Sequence, residues 1–264
     1  MKKFLGYLLA IYLRRVPYRR GKKRLARLFG PYCEGLPMIT AYGFPIFTRF
    51  QDNTNRLCFE GRPDRVVDFI QAIPEGAAVL DIGANQGAIS ILASRVVGDR
   101  GIVLAFEPCK ATAARLHANR ELNQADNLIL FQQGIGSCRQ TLTIGSPDPF
   151  HSGAAHIGGG HEHVTVSPIM DIPEIQRLLG ERPVYAKIDT EGYELEVLRG
   201  LEPLLEQGRI RQMIVEINDD HLRRFGADAT ALYRMMEGYG YVPEYGLQGG
   251  HYDEVFTWEK KPDA

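Results

Sequence analysis

A chain of 264 residues, 44% hydrophobic and 24% charged, carries enough apolar surface for one globular domain with a full core, which sets aside the fibrous and disordered classes. Its net charge of −1 conceals an asymmetry: all ten charged residues up to Gly30 are basic, leaving 21 basic against 32 acidic residues in the remainder. An acidic body argues against nucleic acid as a partner. The four cysteines, Cys33, Cys58, Cys109 and Cys138, show no C-x-x-C spacing and are expected to be free thiols of a reducing compartment.

In chain order, the apolar run from Phe4 to Leu13 is flanked by Lys2-Lys3 and Arg14-Arg15. It falls short of the roughly 20 residues that span a bilayer, and no small-residue cleavage site follows it. Phe4, Leu8, Ile11 and Tyr12 share one helical face, and Leu25, Leu28 and Phe29 begin a second. Residues 1–37 therefore read as a basic amphipathic arm. Such an arm lies on an anionic membrane surface or packs on its own domain, and both readings stay open. Residues 38–264 read as the main domain. Ile39 to Thr48 predicts a hairpin, and Arg62 to Ile73 a helix opened by Pro63. Strands then alternate with helices: Ala78–Ile82, Ile102–Phe106, Leu128–Gln132, Val184–Ile188 and Gln212–Ile217, with helices at Gly87–Val97, Lys110–Leu122, Tyr193–Arg199 and Thr230–Gly238. Tyr241-Val242 and Val255–Trp258 close the chain. The alternation predicts a mostly parallel sheet covered on both faces, with an antiparallel edge. Gly136 to Met170 interrupts it as an inserted hairpin with a long tip.

Two stretches carry chemistry. Val79-Leu80-Asp81-Ile82-Gly83-Ala84-Asn85-Gln86-Gly87 runs a buried strand through a glycine turn into a helix, an arrangement that points backbone N–H groups and a helix dipole at a ligand. Asp81 can anchor the turn or accept from a ligand amine. Gly83 and Gly87 let the backbone approach closely, and Asn85 can bond an amino-acid end. Glu107, about twenty residues beyond Gly87 at the tip of the next strand, can accept from both hydroxyls of a ribose. The spacing is D-x-G-x-x-x-G rather than the dinucleotide pattern G-x-G-x-x-G. The second stretch, Lys187-Ile188-Asp189-Thr190-Glu191-Gly192-Tyr193-Glu194, delivers three carboxylates to the carboxyl edge of the sheet, where ligands sit in open α/β folds. Glu191 and Glu194 also suit a helix N-terminus.

With Phe106-Glu107-Pro108 and Ile214-Val215-Glu216-Ile217, these stretches resemble the FkbM-type methyltransferase family over about residues 68–258. The resemblance implies a class I, Rossmann-like, doubly wound fold with a seven-stranded sheet. It implies S-adenosylmethionine as methyl donor and a hydroxyl acceptor on a glycan, a lipid-linked saccharide or a secondary metabolite. Asp81, Gly83, Asn85, Gly87 and Glu107 match its cofactor positions; Asp189, Glu191 and Glu216 match acidic positions near its acceptor pocket. Asp189 is the first candidate for the base and His221 the second, unless His221 simply opens a helix capped by Asp219 or Asp220. Lys187 orients the acceptor, holds a carboxylate or pairs with Glu216. No metal is assigned; a divalent ion on Asp189 and its neighbours is the alternative. His151, His156, His161 and His163 match no zinc spacing and read as part of a mobile, substrate-facing lid over Pro149–His161. Competing functions are a non-catalytic S-adenosylmethionine-binding adaptor and a nicotinamide-dependent oxidoreductase, the latter opposed by the glycine spacing. The expected location is cytoplasmic, with the arm at the inner face of the membrane in one of its two readings.

Overall fold

The computed structural model describes residues 2–16, 21–145, 152–158 and 160–259. The chain opens with α1 (Lys2–Arg15), α2 (Lys22–Phe29) and a short 3-10 turn at Gly30–Cys33. The hairpin β1 (Pro37–Ile39) and β2 (Pro45–Phe47) follows, antiparallel as expected. Two helices come next, α3 (Asn53–Glu60) and α4 (Arg65–Gln71), each started by an aspartate, Asp52 and Asp64, whose carboxylate accepts the first free amides. Asp64, rather than Pro63, opens α4.

The parallel core is laid down by β3 (Ala78–Ile82), α5 (Ala88–Val97), β4 (Ile102–Phe106), α6 (Lys110–Asn123) and β5 (Leu128–Phe131). β6 (Gly134–Ile135), just ahead of the predicted interruption, joins β7 (Gln140–Gly145), β8 (His156–Ile157) and β9 (Glu162–Ser167) within it in a separate four-stranded sheet in the order β6-β9-β7-β8. The predicted hairpin is β7 against β9, pairing Leu142 with Val164. After α7 (Ile175–Leu179) the main sheet resumes with β10 (Val184–Ile188), α8 (Glu194–Gly200), α9 (Glu202–Glu206) and β11 (Ile210–Asn218). Then come α10 (Asp219–Leu222), α11 (Ala229–Gly238), β12 (Tyr241–Pro243) and β13 (His251–Trp258).

The main sheet runs β12-β13-β11-β10-β3-β4-β5. Pairing is parallel from β5 to β11, and β13 is antiparallel to both of its neighbours. The antiparallel strand thus lies one place in from the edge, with β12 outermost. Connections run from β3 outward through β4 and β5, and then from β10 outward the other way. The reversal between β3 and β10 opens a crevice at their carboxyl ends. Alternation along β3 divides the core: Leu80 and Ile82 pack on the side of α8 and α11, whereas Val79 packs with α4 and α5.

The arm belongs to that second core. Leu9, Leu13 and Ala26 are buried in the same cluster as residues of α4 and α5, and α1 lies against α3. Lys22, itself buried, donates to the Leu13 carbonyl at 2.5 Å and sits 3.8 Å from Glu60. Arg56 and Arg62 pair with the same fully buried carboxylate. The charge on Glu60 therefore ties α2 to α3. Glu60→Gln would leave buried cations short of their counter-charge and should lower stability in urea denaturation by about 3 kcal/mol; an unchanged midpoint would show that the arm docks through its apolar contacts alone. The helical face read from the sequence is real, but Phe4, Leu8 and Ile11 point to solvent, and the inward face is Gly6, Leu9 and Leu13.

Candidate active site

A cavity of 630 Å³ lies at the carboxyl ends of the central strands. Its first half is built by the turn after β3. The amides of Gly83 and Ala84 donate to the Phe106 carbonyl at 3.0 and 3.1 Å, curling the turn toward β4. Gly83 has φ +81°, and a Cβ there would stand 1.8 Å from the Asp189 carbonyl oxygen, so only glycine lets the tips of β3 and β10 approach. Asn85 follows with φ +50°, and its N–H donates to Glu107 Oε2 at 2.8 Å. Glu107 Oε1 accepts from the Cys109 amide at 2.9 Å and from the Thr112 hydroxyl at 3.2 Å. Burial nevertheless pushes this carboxyl up to about 7 against those donors.

Gly83, Asn85 and Glu107 line the cavity, and the other two cofactor positions read from the sequence lie behind it. Asp81 is wholly buried, accepts from Ser90 Oγ at 2.5 Å and faces Lys187 Nζ at 3.4 Å. It anchors the turn. Gly87 begins α5 in a left-handed conformation, where a Cβ would press to 2.7 Å from Leu116 of α6. The apolar wall of Ile82, Ala84, Phe106 and Pro108, ending in a buried carboxylate with acceptor capacity, fits a nucleoside-bearing cofactor. Glu107→Ala should weaken S-adenosylmethionine binding by ~1.5–3 kcal/mol, the scale of hydrogen bonds to a charged group. Calorimetry finding wild-type affinity would remove Glu107 from this role.

Part of the roof comes from elements that the sequence did not reveal. The N-terminal turn of α3 supplies Asn53, Thr54 and Leu57, and Asn55 Nδ2 donates to Gln86 Oε1 at 2.8 Å. Ser152 and Gly153 of the long loop sit on the same helix end through Asp52 and Thr54, and Ser152 Oγ reaches Asn85 Oδ1 at 3.1 Å. Ser152, Gly153, Ala155 and Ile157, from the described part of the loop, line the cavity. His151 lies outside the described residues. His161 and His163 are exposed, and among the described residues no cluster able to hold a metal includes them or His156.

The second half is acidic. Glu194 folds its own turn: Oε1 accepts from the Thr190 amide and hydroxyl and the Gly192 amide at 2.9–3.0 Å. This leaves Glu191 in a left-handed conformation, φ +57°, lining the cavity. Lys187 donates to the Gly83 carbonyl at 2.8 Å and faces Asp81 and Asp189 at 3.4 and 3.5 Å. Burial alone would lower its pKa, but the two carboxylates outweigh burial and raise it. Lys187 thus holds carboxylates and bridges β3 to β10. Glu216, one of the partners open to Lys187 from the sequence, is bonded to His251, Oε1 to Nε2 at 2.7 Å, which raises His251 to about 9. His251 was missed because Gly249-Gly250 reads as a loop, yet β13 starts there, with His251 opposite Asn218 of β11.

His221 opens toward the cavity from α10, whose cap is Asn218 rather than Asp219 or Asp220: its side chain accepts the amides of Asp220 and His221. His221 Nδ1 lies 3.1 Å from Glu191 Oε2. Burial, then the charge of Arg224, lowers His221 below its ordinary 6.5. Burial, then the carboxylates of Glu216 and Asp189, push Glu191 up to about 8, and burial with Asp189 pushes Glu216 up to about 7. One ligand atom from each of Glu191, Glu216 and His221 falls within 4.8 Å of the others, so these three residues could hold a divalent cation.

Comparison with known proteins gives the family. The sequence profile described as Methyltransferase FkbM domain matches residues 81–243, more than half of the chain. The hexuronic acid methyltransferase AglP of Haloferax volcanii is 26% identical over 158 residues, covering 60% of this chain and 63% of that protein. Methyltransferase 1 of Beauveria bassiana is 27% identical, with 50% and 61% covered. The chain thus spans about three-fifths of the length of these relatives. Solved structures that align with it include the precorrin-6y C5,15-methyltransferase of Geobacter metallireducens, at 15% identity and a TM-score of 0.44 over 74% of this chain and 86% of that one. The M. capricolum TrmK complex with S-adenosyl-homocysteine aligns at 11% identity and a TM-score of 0.44, over 76% and 71%.

Proposed function

Because the chain belongs to the FkbM methyltransferase family, we propose that its cavity serves methyl transfer to a hydroxyl oxygen of a saccharide, free or carried on a lipid or a secondary metabolite. S-adenosylmethionine is the cofactor, and when bound it supplies a methyl group activated by a positive sulfur. Gly83, Asn85 and Glu107 would hold it. The observation that carries the reading is the pairing of His221 with Glu191 across from that cradle. An alcohol is a weak nucleophile at neutral pH, and a placed base is worth about 10²- to 10⁴-fold. With Glu191 ionised, its negative charge 3.1 Å from Nδ1 favours the tautomer that carries the hydrogen there, which leaves Nε2 to take the acceptor proton. Asp189, engaged with Lys187, positions the acceptor hydroxyls instead. Glu216 and the protonated His251 next to it complete a wall that suits a polyol.

The spacing of Glu191, Glu216 and His221 favours one second reading, in which a divalent cation polarises the acceptor oxygen and His221 is a ligand rather than a base. Activity that survives exhaustive chelation supports the base; activity lost with chelator and restored by magnesium or manganese supports the cation. The acceptor reading is tested with isotopically labelled donor and a panel of saccharides with and without a carboxyl group. A labelled methyl ether, stable to mild alkali, is the expected product. A base-labile methyl ester, or label only on nitrogen acceptors, overturns it. The name of the Haloferax volcanii relative makes hexuronic acids the first compounds to try.

A further inference from the structure

The arm holds an apolar surface that its own domain does not cover. On α1, Phe4 and Tyr7 are 68% and 65% exposed, and Leu8 and Ile11 continue the same stripe at one helical turn's spacing. Leu28 on α2 and Tyr32 in the turn that follows are each 60% exposed as well. The opposite face of α1, through Gly6, Leu9 and Leu13, is packed on the domain, so the stripe is held outward rather than being a helix waiting to dock on its own chain. Every described basic residue before Gly30 except Lys22 is exposed, Lys3 and Arg14 flank the stripe on α1 by helical spacing, and the first acid in the chain is Glu34.

We propose that this surface is a membrane-docking face, taking the headgroups of an anionic lipid bilayer on its lysines and arginines and the upper acyl region on its apolar stripe. Charge selects the occupant. A second copy of the chain would bring the same cationic arm against itself, whereas anionic lipid neutralises it and at the same time repels the acidic remainder of the molecule. Buried Lys22, clamped by Glu60, fixes the arm rather than binding lipid. The arm rests on α3, and the N-terminal turn of α3 is a wall of the cavity. A docked molecule therefore holds its cavity one helix away from the lipid surface. No helix among the described residues is long and apolar enough to cross a membrane, in keeping with attachment from one side.

The docking claim stands independently of the acceptor assigned above and is tested without activity. Full-length protein is sedimented with vesicles of phosphatidylcholine alone and of phosphatidylcholine mixed with phosphatidylglycerol. Wild type should bind the anionic vesicles and release them as salt is raised. A variant combining Phe4→Ser, Leu8→Ser and Ile11→Ser should bind about tenfold more weakly or worse. These side chains touch solvent, so its thermal midpoint should match wild type and keep the comparison valid. Lys3→Glu with Arg14→Glu provides a second variant, acting through charge alone. Equal partitioning of wild type and both variants overturns the proposal, as does equal binding to neutral vesicles. So does a concentration-dependent dimer, seen without lipid by ultracentrifugation and lost in the serine variant, which would make a second copy the occupant.

Discussion

His221→Ala is expected to lower turnover by about 10²- to 10⁴-fold while the affinity for S-adenosylmethionine stays at its wild-type value, because the base is lost and the cradle of Gly83, Asn85 and Glu107 is untouched. The pH profile separates a base from a residue that merely packs. Glu191 holds its proton up to about 8, and a protonated Glu191 would donate to Nδ1 and leave the hydrogen of neutral His221 on Nε2, the wrong tautomer for taking a proton there. Turnover of the free enzyme should therefore rise with pH through about 8 as Glu191 ionises. In Glu191→Gln the neighbour of Nδ1 no longer titrates. The limb should then move down to that of His221 itself, below 6.5. A profile that is the same in wild type and Glu191→Gln would break the link between the two residues. A fully active His221→Ala with an inactive Asp189→Asn would return the role of base to Asp189.

Gly83→Ala is expected to be severely damaging. The added carbon would meet the Asp189 carbonyl oxygen at 1.8 Å, backbone against backbone, at a φ that L side chains rarely adopt. The tips of β3 and β10 would have to part, and with them the contact of Lys187 with the Gly83 carbonyl. A loss of about 3 kcal/mol or more in unfolding free energy is expected, together with loss of cofactor binding in calorimetry. Gly76 provides the control: it has the same φ of +81°, but the nearest atom to a Cβ there is 3.9 Å away. Gly76→Ala should therefore show the backbone strain alone, about 1 kcal/mol. Equal stability of the two variants would show that close packing of the strand tips does not require glycine at position 83.

Three strands of the central sheet were legible because each is an apolar run that ends on a charged or glycine residue, as Ile82-Gly83, Phe106-Glu107 and Ile188-Asp189 show. The family resemblance rested on the same tips, and the strand order bears out the fold it implied. What stayed hidden is where polar side chains are buried. The buried residues of α3 include Asn55, Arg56 and Glu60, so hydropathy has no helical period there even though the helix walls the cavity. The first half of β13 hides for the same reason. Glu254 is wholly buried and accepts the Tyr233 hydroxyl and the amides of residues 244–246, so the strand was read from Val255 and His251 was left out. The partner of Lys187 also depended on which strands are neighbours: β10 stands between β3 and β11, and its lysine turns toward Asp81.

The place of β13 bears on how a newly made chain comes to life. Synthesis delivers β3, β4, β10 and β11 well before residues 251–258, and β12 pairs with no other strand than β13 among those described. The turn after β3 is bonded within residues 83–112 and also to Lys187 of β10, so a nascent chain can complete it only once β10 has been made. Until β13 arrives, the nine-residue β11 is an unpaired edge, the kind of surface that recruits other chains. Glu216 also waits on that edge without His251. Made after both strands it pairs with, β13 thus covers the edge of β11 and brings His251 to Glu216 in one step.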